Sequence, residues 1–92
     1  METREILKEK TLRTLKRIIR KHKEEKGLST KEMIKNSGKT RQEVERLTNP
    51  NDQTNCTVWS ALSVLLTNDI DPFPELMQEL KKEFKHGHND ND

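Results

Sequence analysis

Leu28-Ser29-Thr30-Lys31-Glu32-Met33-Ile34-Lys35-Asn36-Ser37-Gly38-Lys39-Thr40-Arg41-Gln42-Glu43-Val44-Glu45-Arg46-Leu47-Thr48 is the stretch that decides the fold. Ser29 followed by Glu32 fits a capping box, in which hydroxyl and carboxylate each satisfy a backbone N–H left open by the first helical turn. Leu28 and Met33 flank it as a hydrophobic staple, so a helix is predicted to start at Thr30. It should stop near Ser37–Gly38, where glycine takes the left-handed conformation that other residues reach only at a cost. The same signature returns as Thr40-Arg41-Gln42-Glu43 and predicts a second short helix from about Arg41 to Thr48. That helix turns Val44 and Leu47 inward and ends because Asn49 precedes Pro50, which disfavours the α region.

Working outward toward the amino terminus, Leu7, Leu12, Leu15, Ile18, Ile19 and His22 fall within an arc of roughly 140° on a helical wheel. They define one amphipathic helix closed by Gly27. Its other side carries Lys10, Arg13, Lys16, Arg17, Arg20, Lys21 and Lys23, a basic face. Toward the carboxyl terminus, residues 49–55 hold turn formers and no apolar residue, which predicts an exposed loop. From Thr57 to Thr67, Val58, Trp59, Ala61, Leu62, Leu65 and Leu66 share an arc of roughly 160°, which predicts the central helix of the core, with Trp59 inside it. Cys56 reads as a small semi-buried residue at its start. Asn68–Pro74 is a stop and restart. Phe73, Met77, Leu80 and Phe84 then step along a last helix ending at Gly87, before a tail, 88–92, expected to be disordered.

This is the pattern of a single all-α domain of four to five helices over residues 1–87, with an extended basic first helix. Hydrophobic residues make up 28% of the chain and charged residues 37%, and Trp59, Phe73 and Phe84 are the only aromatics, so the core must be thin. The net charge of +2 conceals a gradient: 10 Lys and Arg face 5 acids in residues 1–26, 5 face 3 in 27–50, and 3 face 8 in 51–92. A basic front suits a phosphate backbone or another acidic surface. No apolar run approaches the roughly 20 residues of a membrane span, and Lys, Arg and Glu interrupt the amino-terminal segment where a secretory signal would need an apolar core. A cytoplasmic location is the expectation. A lone Cys56 offers no internal disulfide or redox pair. His86 and His88 lack a third ligand, so no metal is expected. There is no phosphate-cradling glycine loop, metalloprotease helix or nucleophile elbow, so neither enzymatic activity nor a cofactor is expected.

Two short capped helices joined through Gly38 match the supersecondary unit that places a helix in the DNA major groove. From about Ile18 to Phe73 the chain resembles the lambda-repressor-like (XRE-type) helix-turn-helix family of bacterial and phage regulators. The resemblance rests on Ile19, the Glu25-Lys26-Gly27-Leu28-Ser29 approach, Met33, Gly38, Thr40, Val44, Leu47 and the helix from Val58 to Leu66. It implies a four- or five-helix fold, with the helix-turn-helix at about 29–48 and its second helix as the DNA reader. Ile34 stands where the family commonly has a small alanine, and Lys39 where it commonly has an apolar residue.

With Val44 and Leu47 inward, Arg41, Gln42, Glu45 and Arg46 are the base-reading candidates. Arg can bond a guanine edge in bidentate fashion, Gln an adenine edge, and Glu can accept from the cytosine amine. Phosphate contacts are assigned to Ser29, Thr30, Lys31, Lys35, Lys39 and Thr40. The function expected is a sequence-specific transcriptional regulator of double-stranded DNA, a repressor of phage, plasmid or bacterial origin. A homodimer is expected, because one reading helix offers few base contacts. It would pair through Phe73, Met77, Leu80 and Phe84, or through the amino-terminal extension around Ile6 and Leu7. The competing expectation is a protein-interaction module on the same scaffold, modulating a repressor, polymerase or antitoxin partner. Ile34, Lys39 and the acidic rear half favour that alternative.

Overall fold

A computed structural model describes residues 3–49 and 57–88, with side chains through Glu83. Within them the chain is all-α, with five helices and no strand: α1 (Thr3–Lys26), α2 (Thr30–Ser37), α3 (Arg41–Thr48), α4 (Val58–Thr67) and α5 (Phe73–His88). Pro50–Cys56, the tail 89–92 and the side chains of Phe84, His86 and His88 lie outside the described residues.

The helix boundaries follow local chemistry. Leu28 N–H reaches back to the Lys23 carbonyl at 3.0 Å and Gly27 sits at φ 66°, so α1 closes in a Schellman motif with glycine in its left-handed position. Gly38, at φ 72°, ends α2 and donates to the Ile34 carbonyl at 2.9 Å. At the end of α4 a non-glycine residue takes the same role. Asp69 adopts φ 61°, and Ile70 N–H bonds to the Leu65 carbonyl at 2.9 Å. Asp tolerates that conformation better than most residues, and the motif turns Ile70 back onto Leu65 in the core. Asp71 then accepts the Phe73 N–H at 3.0 Å as α5 begins. The helix continues through Gly87 to His88, one residue past the expected stop. An interior glycine costs a helix only about 1 kcal/mol, which does not by itself end it.

α1 is the spine. It spans roughly 36 Å at 1.5 Å per residue and packs on α3, α4 and α5, while α2 packs on α3 and α4. The core is Leu15, Ile18 and Ile19 of α1, Met33 of α2, Val44 and Leu47 of α3, Ala61, Val64 and Leu65 of α4, with Ile70 and Leu76. Thus the apolar stripes of α1 and α3 pack as their spacing predicts, except that Leu7 is exposed, being on the part of α1 beyond the core. Between the ends of α2 and α4, Asn36 donates to the Asn68 side-chain oxygen at 2.8 Å, and buried Asn68 donates to the Val64 carbonyl at 2.7 Å.

Two helices are turned differently from the sequence expectation. Trp59 is not core: it is 74% exposed, and Leu66 is 49% exposed. α4 meets α1 and α2 along Ala61, Val64 and Leu65, so the buried arc is centred away from Trp59. In α5, Leu76 is buried and Leu80 half-buried against the core, whereas Phe73 and Met77 face solvent. Leu80 is therefore not a free dimer residue as expected. Ion pairs flank the buried Leu76 side. α5 runs antiparallel to α1, and three ion pairs bridge them: Lys10–Glu83 and Arg17–Glu79 at 3.4 Å, and Lys21–Glu75 at 3.3 Å. His22 Nε2 also lies 3.6 Å from Glu75. Pairs this exposed contribute about 0–1 kcal/mol each, so they accompany the burial of Leu76 rather than outweigh it. At Glu79 desolvation pushes the carboxyl up, but Arg17 and Lys82 outweigh it and hold it below the usual carboxylate range.

Candidate nucleic-acid interface

The two capping boxes form as their sequences predict. At α2, Ser29 N–H donates to Glu32 Oε1 at 3.0 Å, and Glu32 N–H donates to Ser29 Oγ at 3.0 Å. At α3, Thr40 N–H donates to Glu43 Oε1 at 2.9 Å, and Glu43 N–H donates to Thr40 Oγ1 at 3.2 Å. Both hydroxyls also point their protons at the box carboxylate, at 3.3 Å for Ser29 and 3.1 Å for Thr40. An incoming phosphate therefore competes with the glutamate for either hydroxyl. The backbone N–H groups of Thr30, Lys31, Arg41 and Gln42 are the ones that helix geometry leaves without an internal acceptor.

These bonds also tune Glu43. The Thr40 backbone N–H, then its hydroxyl, hold the Glu43 carboxyl below the usual carboxylate range, with Lys39 and Arg46 adding to the effect against some desolvation. A depressed carboxyl stabilises the fold above the unfolded pKa of about 4.3, and that contribution is lost as pH falls through the lower folded value. Thr40→Ala is expected to cost about 1 kcal/mol of stability at neutral pH through the lost cap. It should also raise the Glu43 midpoint partway, since the backbone bond remains. Carboxyl-carbon NMR titration of both proteins checks this, and an unchanged midpoint would contradict the side-chain bond.

On α3 the inward pair is Val44 and Leu47, both buried. Arg41, Gln42 and Glu45 are exposed on the outer side, and Arg46 is half-buried. Arg41 lies 3.7 Å from Glu45, one turn on, so the carboxylate steers the guanidinium. Thr30 is half-buried and Lys31 and Lys35 exposed on α2, while Lys39 is half-buried in the turn. Lys31 and Lys35 have no carboxylate partner among the described residues, and Lys39 makes no ion pair there but lies near enough to Glu43 to act on its carboxyl. Three residues, Gly38 to Thr40, join the helices, so all of these candidates belong to one short two-helix unit.

Sequence reasoning treated the basic side of α1 as a single face, and the tertiary structure divides it. Lys10, Arg17 and Lys21 lean toward α5. Arg20 and Lys23 line a groove together with Arg17, Lys21, Glu24 and Thr48, the last residue of α3. No local signal links Thr48 to that helix, because the two are brought together only by packing of α1 on α3. No helix of the described residues is long and apolar enough to cross a membrane. No protein-family model matches the chain, and neither a curated protein nor a solved structure is significantly similar to it.

Proposed function

We propose that this chain is a sequence-specific DNA-binding regulator, a repressor of the lambda-repressor-like helix-turn-helix kind, with α3 as its reading helix. The observation that carries this reading is the tandem of capped helices across Gly38. It leaves Arg41, Gln42 and Glu45 outward over a buried Val44–Leu47 pair, with Lys31 and Lys35 unpartnered among the described residues and Lys39, near Glu43, alongside. Arg41 and Gln42 suit guanine and adenine edges, Glu45 accepts from cytosine or holds Arg41, and Arg46 follows one turn later. The free amides at the two helix starts, with the three lysines, suit phosphates. In this reading two copies bind paired half-sites about 34 Å apart and meet through the exposed Phe73 and Met77 of α5.

The test is an amide chemical-shift titration of the labelled protein with a random-sequence duplex at low and physiological salt. Shifts centred on Ser29–Lys31 and Lys39–Arg46 are expected. With about five phosphates neutralised, log K should fall with log salt at a slope of roughly −4 to −5. The rotational correlation time of the same sample reports whether two copies associate. An absence of shifts on α2 and α3 would overturn the reading.

A second reading, a protein-interaction module, is favoured by Trp59 and Leu66, large apolar side chains of α4 left in solvent. The acidic residues of α5 no longer argue for it, because Glu75, Glu79 and Glu83 are engaged by α1.

A further inference from the structure

The groove between α1 and the end of α3 is an open surface groove of about 540 Å³, which suits a ligand held by surface charges rather than one buried in a pocket. Four cations, Arg17, Arg20, Lys21 and Lys23, line it against one carboxylate, Glu24. Arg17 and Lys21 have counter-ions on α5, at Glu79 and Glu75. Arg20 and Lys23 have none among the described residues, although both are half-buried. Holding two unpartnered cations together on one wall costs Coulomb energy that an anion would relieve. Thr48 forms the facing wall, and its hydroxyl is turned into its own helix, donating to the Val44 carbonyl at 3.1 Å. Its side chain adds no negative charge there, so the carbonyl end of α3 and Glu24 are the negative features that the four cations offset.

We infer that this groove binds a ligand carrying two or more linked phosphate groups. Arg17, Arg20 and Lys23 follow one another at intervals of three residues, about 5–6 Å per step, with Lys21 one turn after Arg17, so a single small anion reaches one end only, whereas linked phosphates span from Arg17 to Lys23. Arginine offers a forked donor set and lysine a point charge, the pairing suited to phosphate oxygens. Among the described residues no aromatic side chain lines the groove to stack a base. Recognition therefore rests on the phosphates, supplied either by the backbone of a duplex or by a free polyphosphate. The inference does not depend on α3 reading DNA, since none of the residues assigned to that role lines the groove.

The experiment titrates the labelled full chain with inorganic tripolyphosphate, with chloride added to hold ionic strength constant. Saturable amide shifts over Arg17–Glu24 and Thr48 are expected. Arg20→Gln/Lys23→Gln should weaken binding at least about tenfold. Thr48→Glu, which places a carboxylate opposite the cations, should do the same without removing any of them. Lys8→Gln/Lys81→Gln, which takes the same charge from outside the groove, should change little. Thermal midpoints confirm that the variants fold. A duplex titration of the Arg20/Lys23 variant separates the sources: a salt slope shallower by about two assigns the groove to DNA backbone, and an unchanged slope assigns it to free polyphosphate. Shifts that do not saturate, or equal losses in the Lys8/Lys81 control with an unchanged duplex slope, would overturn the inference.

Discussion

Leu65→Ala is expected to be the most damaging single truncation in this chain, lowering stability by roughly 2–5 kcal/mol. Leu65 is fully buried among the residues of α4 that meet the spine, and its carbonyl accepts both the Asn68 and Ile70 N–H groups that close the helix. Removing its side chain empties a core of only a dozen or so residues, which has little freedom to collapse into the space. A domain of this size holds roughly 5–14 kcal/mol in total, so the loss is a large fraction. At about 4–8 °C per kcal/mol, the melting midpoint should fall by some tens of degrees. Trp59→Ala and Leu66→Ala, the latter at the very next residue, are expected to cost less than about 1 kcal/mol because both side chains already face water. Thermal unfolding of the three variants checks the rotation of α4 directly. Should Trp59→Ala prove as costly as Leu65→Ala, the orientation of that helix would be wrong. Quenching of Trp59 fluorescence by a soluble quencher gives a second measure and should proceed as for a solvated indole.

The second large effect concerns recognition. A duplex selected from a random library should be discriminated from unrelated sequence by the wild-type chain, and Arg41→Ala/Gln42→Ala/Arg46→Ala should remove most of that discrimination. Each good side-chain-to-base pair is worth about 1–3 kcal/mol, so the selected site should lose roughly 10²-fold or more in preference. Non-specific affinity should fall less, and the salt slope should change little, because the phosphate contacts are assigned to α2 and the turn rather than to these arginines. Removal of Arg41 also leaves Glu45 without its partner, so part of the loss reflects repulsion between that carboxylate and DNA. Selectivity unchanged by the triple substitution would sink the reading-helix assignment and favour the protein-interaction reading. A fold-stability measurement on the triple variant separates lost contacts from lost structure, and little change is expected because Arg41 and Gln42 are exposed.

The start and stop of α2 and α3 were legible residue by residue. Ser29 with Glu32, Thr40 with Glu43, and Gly38 act within a few residues of themselves, so their bonds are written in adjacent sequence. The stripe of Leu15, Ile18 and Ile19 was equally legible, because a long helix with one strongly apolar side has one way to face a core. α4 and α5 were not. α4 is apolar over most of its circumference, so periodicity alone offered Trp59 and Leu66 as readily as Val64, and only the positions of α1 and α2 chose between them. In α5 the choice of Leu76 over Phe73 and Met77 is made where α1 lies opposite, with Glu75, Glu79 and Glu83 reaching Lys21, Arg17 and Lys10 across the interface. The Asn36–Asn68 bond and the groove at Thr48 join residues distant in sequence and carry no local mark.

The sequence by itself determined the all-α class, the caps of the two central helices, the inward pair on α3 and its outward Arg41, Gln42 and Glu45, since hydrogen bonding and periodicity within one helix suffice for these. The tertiary structure decided which side of α4 and α5 is buried, and how the basic face of α1 divides between ion pairs with α5 and the groove beside Thr48. The physical reason is that burial and counter-ion choice depend on which helix lies opposite, and that is settled only when the spine is packed.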